Sequence, residues 1–538
     1  MTRIVIHGGD VADGLGDAVR RADVLVDRGR IVEVGAVRAA PGDTVIDAAG
    51  RIVLPGFVDA HSHVDGAVFR PEVQRALLRQ GVTTAIAGQD GVSYAPGDGV
   101  WASQYFAAIN GPHPTYRGGG VAALLAGYDG ALPLDVGYLV PAGTVRHEVM
   151  GMRPGAATPA EIAAMQQLVA AGLAEGALGL SSGLDYVPGI FADAGELAAL
   201  CAPVAAVGGL YVTHMRGGYE TNTAAGLAEV AEIHRRSGVR THVSHFHVAA
   251  ADGIRLIDEL LAAGVDVGFD MYPYTRGCTI LAMAVLPPAY SALPVAAAVA
   301  RLSDAVERER LRRDWFPTVA HKPSLGARWP EMIRIAHAPA TPGAAGRTLA
   351  DLAAHAGGDP GATGDVVAAT LDLLVANRLE VSAVMAVRDE RPVADLARLF
   401  SHPAHTGGSD GIFIGEAPHP RAWGTFARFL GTYVREVAAY SWQDAARHLA
   451  ARPAARFGLH DRGIIAPGRR ADLLLVDPAS VRDAATYAHP TAPAVGIDDV
   501  LVAGVPVLAG GELTGARPGG AARRAPAAPV DPTRDPRF

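Results

Sequence analysis

Eight short apolar or β-branched runs mark the middle of this chain, at 52–58, 82–88, 135–141, 177–181, 209–213, 240–244, 265–271 and 404–408, with helical stretches between them. The clearest helix signal is Thr158-Pro159-Ala160-Glu161: a capping Thr, Pro at the first helical position, and Glu three residues after the cap. Met165, Leu168 and Val169 follow at helical spacing. Other helical stretches span about 71–80, 194–207, 222–236, 253–263, 388–400 and 441–451. Strand then helix, eight times over, predicts an α/β chain folded as a (β/α)8 TIM barrel. Chemistry in such a barrel lies at the C-terminal ends of the strands.

Material outside the repeats reads differently. Short β runs at Ile4-Val5-Ile6, Val24-Leu25-Val26 and Arg30–Val34 return in kind at Ala471–Val476, Val500-Leu501-Val502 and Val505-Pro506-Val507. The two sets predict one small β-sandwich built by both termini, from 1–54 and 461–515, with the barrel at 55–285 and 346–460. The stretch 286–345, with Pro287-Pro288, Trp315 and Trp329, reads as an insertion between the seventh and eighth strands, either a lid or a structural elaboration. The tail 516–538 is rich in Ala, Pro and Arg, and from Gly519 reads as disordered or draped on a neighbour.

Apolar content of 49% over 538 residues provides for a large core, and a net charge of -8 gives no field that favours nucleic acid. No stretch is long and apolar enough to span a bilayer. Two cysteines, Cys201 and Cys278, imply no disulfide framework. The start lacks a signal-peptide core, so the expectation is a cytoplasmic enzyme acting on a small molecule, with a homo-oligomer left open.

His61 and His63 stand directly after the first run, two residues apart, so in an extended strand both imidazoles face one side. His214, His245 and Asp410 likewise fall at the ends of later runs. Histidine and carboxylate converging from strand ends suit a hydrolytic zinc site.

Taken together, the motifs resemble those of the amidohydrolase superfamily, and within it the D-aminoacylases, or N-acyl-D-amino-acid deacylases. The residues that carry the resemblance are Val53-Leu54-Pro55-Gly56-Phe57-Val58-Asp59-Ala60-His61-Ser62-His63, Ser181-Ser182-Gly183-Leu184, Tyr211-Val212-Thr213-His214-Met215-Arg216 and Asp270-Met271-Tyr272-Pro273-Tyr274-Thr275. Gly408-Ser409-Asp410-Gly411, His419-Pro420-Arg421 and Asp461-Arg462-Gly463 extend it over about 1–515. The resemblance implies one metal on His61, His63 and Asp410 and a second on His214 and His245. It places Asp90, in Gly88-Gln89-Asp90-Gly91, where family members carry a bridging cysteine. Hard carboxylate oxygens in place of sulfur widen the expected cofactor from Zn2+, as one or two ions, to Mn2+ or Co2+. The implied reaction is amide hydrolysis by metal-activated water, with Asp410 as general base and then acid.

Substrate recognition departs from the family. His247 stands where family members place a lysine that binds the substrate carboxylate, and Arg421 remains to grip it bidentately. Tyr272 and Tyr274 are candidates for hydroxyl contacts, and rim packing is the competing reading of both. Lys322 is the sole lysine of the chain, and the fourth strand end, Ala177–Gly183, has none. That argues against hydantoinases and dihydroorotases, which bridge their metals with a carbamylated lysine after that strand. A mononuclear deaminase and a non-catalytic scaffold stay as alternatives. Arg216 is expected to pair with a nearby carboxylate such as Glu220, and His147, His234 and His448 read as surface side chains. His419 reads as scaffold.

Overall fold

The structure is a computed structural model that describes residues 3–16, 18–219, 221–321, 325–356, 365–386 and 391–524; Lys322 and Glu220 lie outside them. Eight parallel strands form the barrel: β1 Phe57–Asp59, β2 Val82–Ala87, β3 Asp135–Pro141, β4 Gly179–Gly183, β5 Leu210–His214, β6 Arg240–Val243, β7 Val267–Met271 and β8 His405–Gly407. Each pairs with the next along the chain. Closure between β8 and β1 comes from Ala60 N donating to Gly407 O (3.1 Å) and Asp410 N donating to His61 O (2.8 Å). Val58, Ile86, Leu139, Leu210 and Val212 pack together inside, against Phe457 and Leu459. The Thr158 capping box forms as read, opening the helix Pro159–Ala174.

The run 52–58 is two strands. Ile52–Pro55 pairs antiparallel with Leu473–Val476 in the terminal sheet, and only Phe57–Asp59 enters the barrel. Gly56 makes the break, since a Cβ there would stand 2.1 Å from the Thr83 hydroxyl. The terminal strands join in one nine-stranded sheet. Alternation divides its faces, with Val53, Leu473 and Leu475 in a small core of their own and Leu54, Leu474 and Val476 packed with the barrel.

The insertion is larger than 286–345. Strands Gly277–Ile280, Ser382–Met385 and Ile333–His337 form a separate antiparallel sheet, so the excursion starts soon after β7 and reaches Met385. Helices across it bury Leu302, Leu311, Phe316 and Trp329 in an independent core. The helix expected at 388–400 is Val393–Phe400, with 387–390 outside the described residues. The tail also needs correcting, for Ala521–Ala522 adds to β3 as a further parallel strand and Gly520 N donates to Asp135 Oδ1 (2.9 Å). Open backbone groups at the N-terminal end of β3 give it a partner. Residues 525–538 lie outside the described set.

Asp135 anchors the barrel floor. Arg462 donates to it and to Thr84 Oγ1 (3.1 Å), and Arg470 lies 2.8 Å away while holding Asp472 (3.0 Å). This gives the Asp461-Arg462-Gly463 motif a structural role. Arg462→Met is expected to destabilise the fold by about 3–5 kcal/mol, because it leaves Asp135 buried with its charge poorly compensated. A urea midpoint unchanged from the parent would contradict this.

His448 is buried rather than exposed, because the helix carrying it turns inward against β8. It lies 3.3 Å from His405, whose ring Tyr440 contacts at 3.0 Å. Burial drives His405 down to about 3, and burial with Arg117 nearby drives His113 down to about 4. Both stay neutral in the fold while their unfolded forms protonate near 6.5. Below pH 6.5 the unfolded chain binds more protons, so stability falls as pH drops toward 4. Each group contributes about 1.4 kcal/mol per pH unit in that window. Thermal melts from pH 7.5 to 4.5 should show the slope, and His113→Gln should remove its share.

Among the described residues, no helix is long and apolar enough to cross a membrane.

Candidate metal centre

Six side chains meet above the barrel's C-terminal rim. His63 Nε2 lies 3.6 Å from Asp90 Oδ2 and 3.4 Å from Asp410 Oδ1. His61 Nε2 lies 3.6 Å from Asp90 Oδ1 and 3.8 Å from Asp410 Oδ1. On the other side of Asp90, His245 Nε2 is 3.7 Å from Oδ1 and His214 Nδ1 is 4.0 Å from Oδ2. The Asp90 carboxylate therefore stands between two groups of imidazoles. Ligands at 2.0–2.1 Å in a tetrahedral shell lie about 3.3 Å apart, close to this spacing.

A cation would fit this cluster better than direct contacts do. His61 Nε2 and Asp90 Oδ1 are buried and lack a hydrogen-bond partner. Two overlapping sets of side chains could hold an ion, His61 with Asp90 and His245, and His61 with His63 and Asp410. Burial opposes charge on His63, but Asp410 and Asp90 outweigh it and push the ring up to about 10. Burial opposes charge on Asp90 too, and the surrounding histidines hold its carboxyl well below the usual range. The two carboxylates thus supply the negative charge that a divalent cation would neutralise.

Backbone geometry aims these residues. Asp90, His245 and Asp410 all have positive φ, at 56°, 36° and 46°. Such conformations are costly for non-glycine residues and concentrate at functional sites. The Asp90 turn packs so closely on β4 that a Cβ at Gly183 would stand 2.1 Å from the Asp90 carbonyl oxygen. The Ser181-Ser182-Gly183 motif thereby ends in a residue without a side chain.

Residues carrying no role in the sequence reading orient the imidazoles. Asp185 Oδ2 lies 3.1 Å from His214 Nε2, leaving Nδ1 to face Asp90. Asn110 Oδ1 lies 3.2 Å from His63 Nδ1, leaving Nε2 inward. Asp270 lies 3.6 Å from His61 Nδ1 and 3.1 Å from His242 Nε2, and it accepts from His245 N at 2.8 Å. Carboxylates behind ligating histidines fix tautomer and ring direction. Asp270 was quoted within a motif, and its place near the end of β7 was the available signal. Nothing local marks Asn110 or Asp185.

A cavity of 510 Å³ opens onto the cluster, lined by His63, Asp90, His214, His245, His247, Tyr272, Asp410 and Arg421 among others. Arg421 is fully buried, with Nη2 2.8 Å from Asp410 Oδ2 and its guanidinium 4.5 Å from the Tyr272 ring centroid. Its Nε and Nη1 have no hydrogen-bond partner. His247 packs on Tyr272 at 4.2 Å between centroids. Tyr274 is different. Its hydroxyl donates to Asp483 Oδ2 (3.1 Å) under Arg428, and it does not line the cavity, so the rim-packing reading applies. The turn at Pro273 sends the two rings in different directions. Arg216 pairs with Glu229 (3.1 Å) and with the carbonyls of Ile190 and Ala192. The insertion contributes Met283, Leu286, Trp315 and Met385 to the cavity wall.

Residues 44–508 match the amidohydrolase family. The chain belongs to this family. This amidohydrolase is 34% identical over 518 residues to N-acyl-D-glutamate deacylase of Alcaligenes xylosoxydans xylosoxydans, covering 94% of this chain and 93% of the relative. It is 33% identical over 532 residues to D-aminoacylase of the same organism, covering 96% of each. These similarities place it in the D-aminoacylase branch. Among solved structures, N-acyl-D-glutamate deacylase of Bordetella bronchiseptica, complexed with zinc and a phosphonate mimic of the tetrahedral intermediate, superposes with a TM-score of 0.80 at 33% identity. That match covers 97% of the amidohydrolase chain and 99% of the solved one.

Proposed function

We propose that this amidohydrolase hydrolyses the amide bond of an N-acyl-D-amino acid or a related carboxylate-bearing amide. The observation that carries the reading is the pairing of Asp410 with two partners. One of its oxygens faces His61 and His63, and the other is held by Arg421. His61, His63 and Asp410 would hold one divalent ion, His214 and His245 a second, and Asp90 would bridge them. Bound there, zinc, manganese or cobalt would supply Lewis acidity toward water and toward the amide carbonyl.

The protein's own groups do the rest. Asp410, through the carboxylate oxygen that would not hold the ion, takes a proton from the attacking water as the new C–O bond forms. As the C–N bond breaks, Asp410 returns that proton to the departing nitrogen, releasing amine and carboxylate. Arg421 keeps Asp410 ionised against its burial. Its two unpartnered nitrogens offer donors to a substrate carboxylate, with His247 and Tyr272 beside them.

The test is a panel of N-acyl-D- and N-acyl-L-amino acids and dipeptides, assayed after chelation and again after adding zinc, manganese or cobalt. Chelation should abolish turnover, and metal should restore it, for D-substrates above L. Full turnover by demetallated protein would sink the reading, as would inactivity on every amide with metal present.

A further inference from the structure

We infer that the acyl group of the substrate is a long alkyl chain, lodged in a second chamber beside the metal centre; this rests on the amide-hydrolysis reading above. A cavity of 410 Å³ lies against the first one, and Ser291 lines both. The partition is thin. Tyr105 lines the second chamber with Ser291 and accepts at 3.0 Å from the backbone N–H of Val187, which lines the first. One continuous segment forms the common wall. Along Gly277–Ile280 and the helix Leu281–Val285, Cys278, Thr279 and Met283 face the first chamber, while Ile280 and Ala282 face the second.

The chemistry of the second chamber selects its occupant. Ile280 and Ala282 are buried, and Trp101, Tyr105, Leu293 and Val295 are half-buried around them. Its charged residues, Asp98, Glu148 and Arg378, are all exposed, so they mark the mouth. His147 stacks on Trp101 at the wall (4.3 Å between centroids), and the aromatic and aliphatic surface around it offers most to methylenes. Direction also fits. Arg421 donates to the carbonyl of Cys278 (3.4 Å), which marks the carboxylate end of the substrate. Ile280, which lines the second chamber, is two residues further along the strand, about 7 Å away at 3.3 Å per residue. An acyl chain crosses by parting Tyr105 from Ser291.

The experiment compares kcat/KM for N-acetyl, N-octanoyl and N-dodecanoyl derivatives of the amino acid preferred in the panel above, using zinc-loaded enzyme and a Val295→Trp variant that fills the chamber. The dodecanoyl amide should exceed the acetyl amide by about tenfold or more, and Val295→Trp should collapse that ratio. Turnover of the acetyl amide with no gain for longer chains, or a ratio unaffected by the tryptophan, overturns the acyl-chain inference alone. Turnover of none of them overturns amide hydrolysis and this inference with it. Should the variant not fold, product inhibition of the parent decides. Dodecanoate inhibiting at least about tenfold more tightly than octanoate supports the chamber, and equal inhibition overturns it.

Discussion

Asp410→Asn is expected to lower kcat by about 10²–10⁴-fold while the protein stays folded and retains metal. The amide keeps an oxygen where Oδ1 now faces His61 and His63, at 3.8 and 3.4 Å, so a ligand position is preserved. What disappears is the capacity to accept a proton from water and hand it to the leaving nitrogen. Arg421 simultaneously loses its buried anionic partner at 2.8 Å, so a rise in KM for carboxylate substrates should accompany the fall in kcat. Metal content, circular dichroism and steady-state kinetics on the same preparation check this. A rate within tenfold of the parent would remove Asp410 from the proton-transfer role.

Asp90→Ala is expected to lower metal affinity by more than the roughly 10–100-fold that loss of a supporting outer partner costs. Asp90 lies within 4.0 Å of all four imidazoles, so its removal strips both halves of the centre together. It would also leave those histidines with less anionic compensation. Asp90→Cys provides the sharper contrast. It should retain metal but shift preference from manganese toward zinc, because sulfur is the softer donor. Calorimetric titration of chelated protein with each metal reads both effects. Two zinc ions bound by Asp90→Ala with parental affinity would contradict the bridging role.

Much of this was legible before folding. Short apolar runs marked eight strands and helical spacing the helices between them, and the strand ends already carried His61, His63, His214, His245 and Asp410. A parallel barrel turns that linear pattern into spatial convergence, because every β-strand C-terminus opens on the same rim. The insertion was less legible. Its strands Gly277–Ile280 and Ser382–Met385 pair across about a hundred residues, and neither shows an alternation that announces the partner.

The amino-acid order by itself determined the repeat, the ligand chemistry and the absence of a lysine after β4, since each depends only on residue type and spacing. Tertiary structure alone decided which nitrogen of His214, His63 and His61 faces inward, through Asp185, Asn110 and Asp270. It also turned Tyr274 toward Asp483 and set Arg421 against Asp410. Those outcomes depend on angstrom-scale contacts between residues from 11 to 209 positions apart in the chain, which local propensity does not encode.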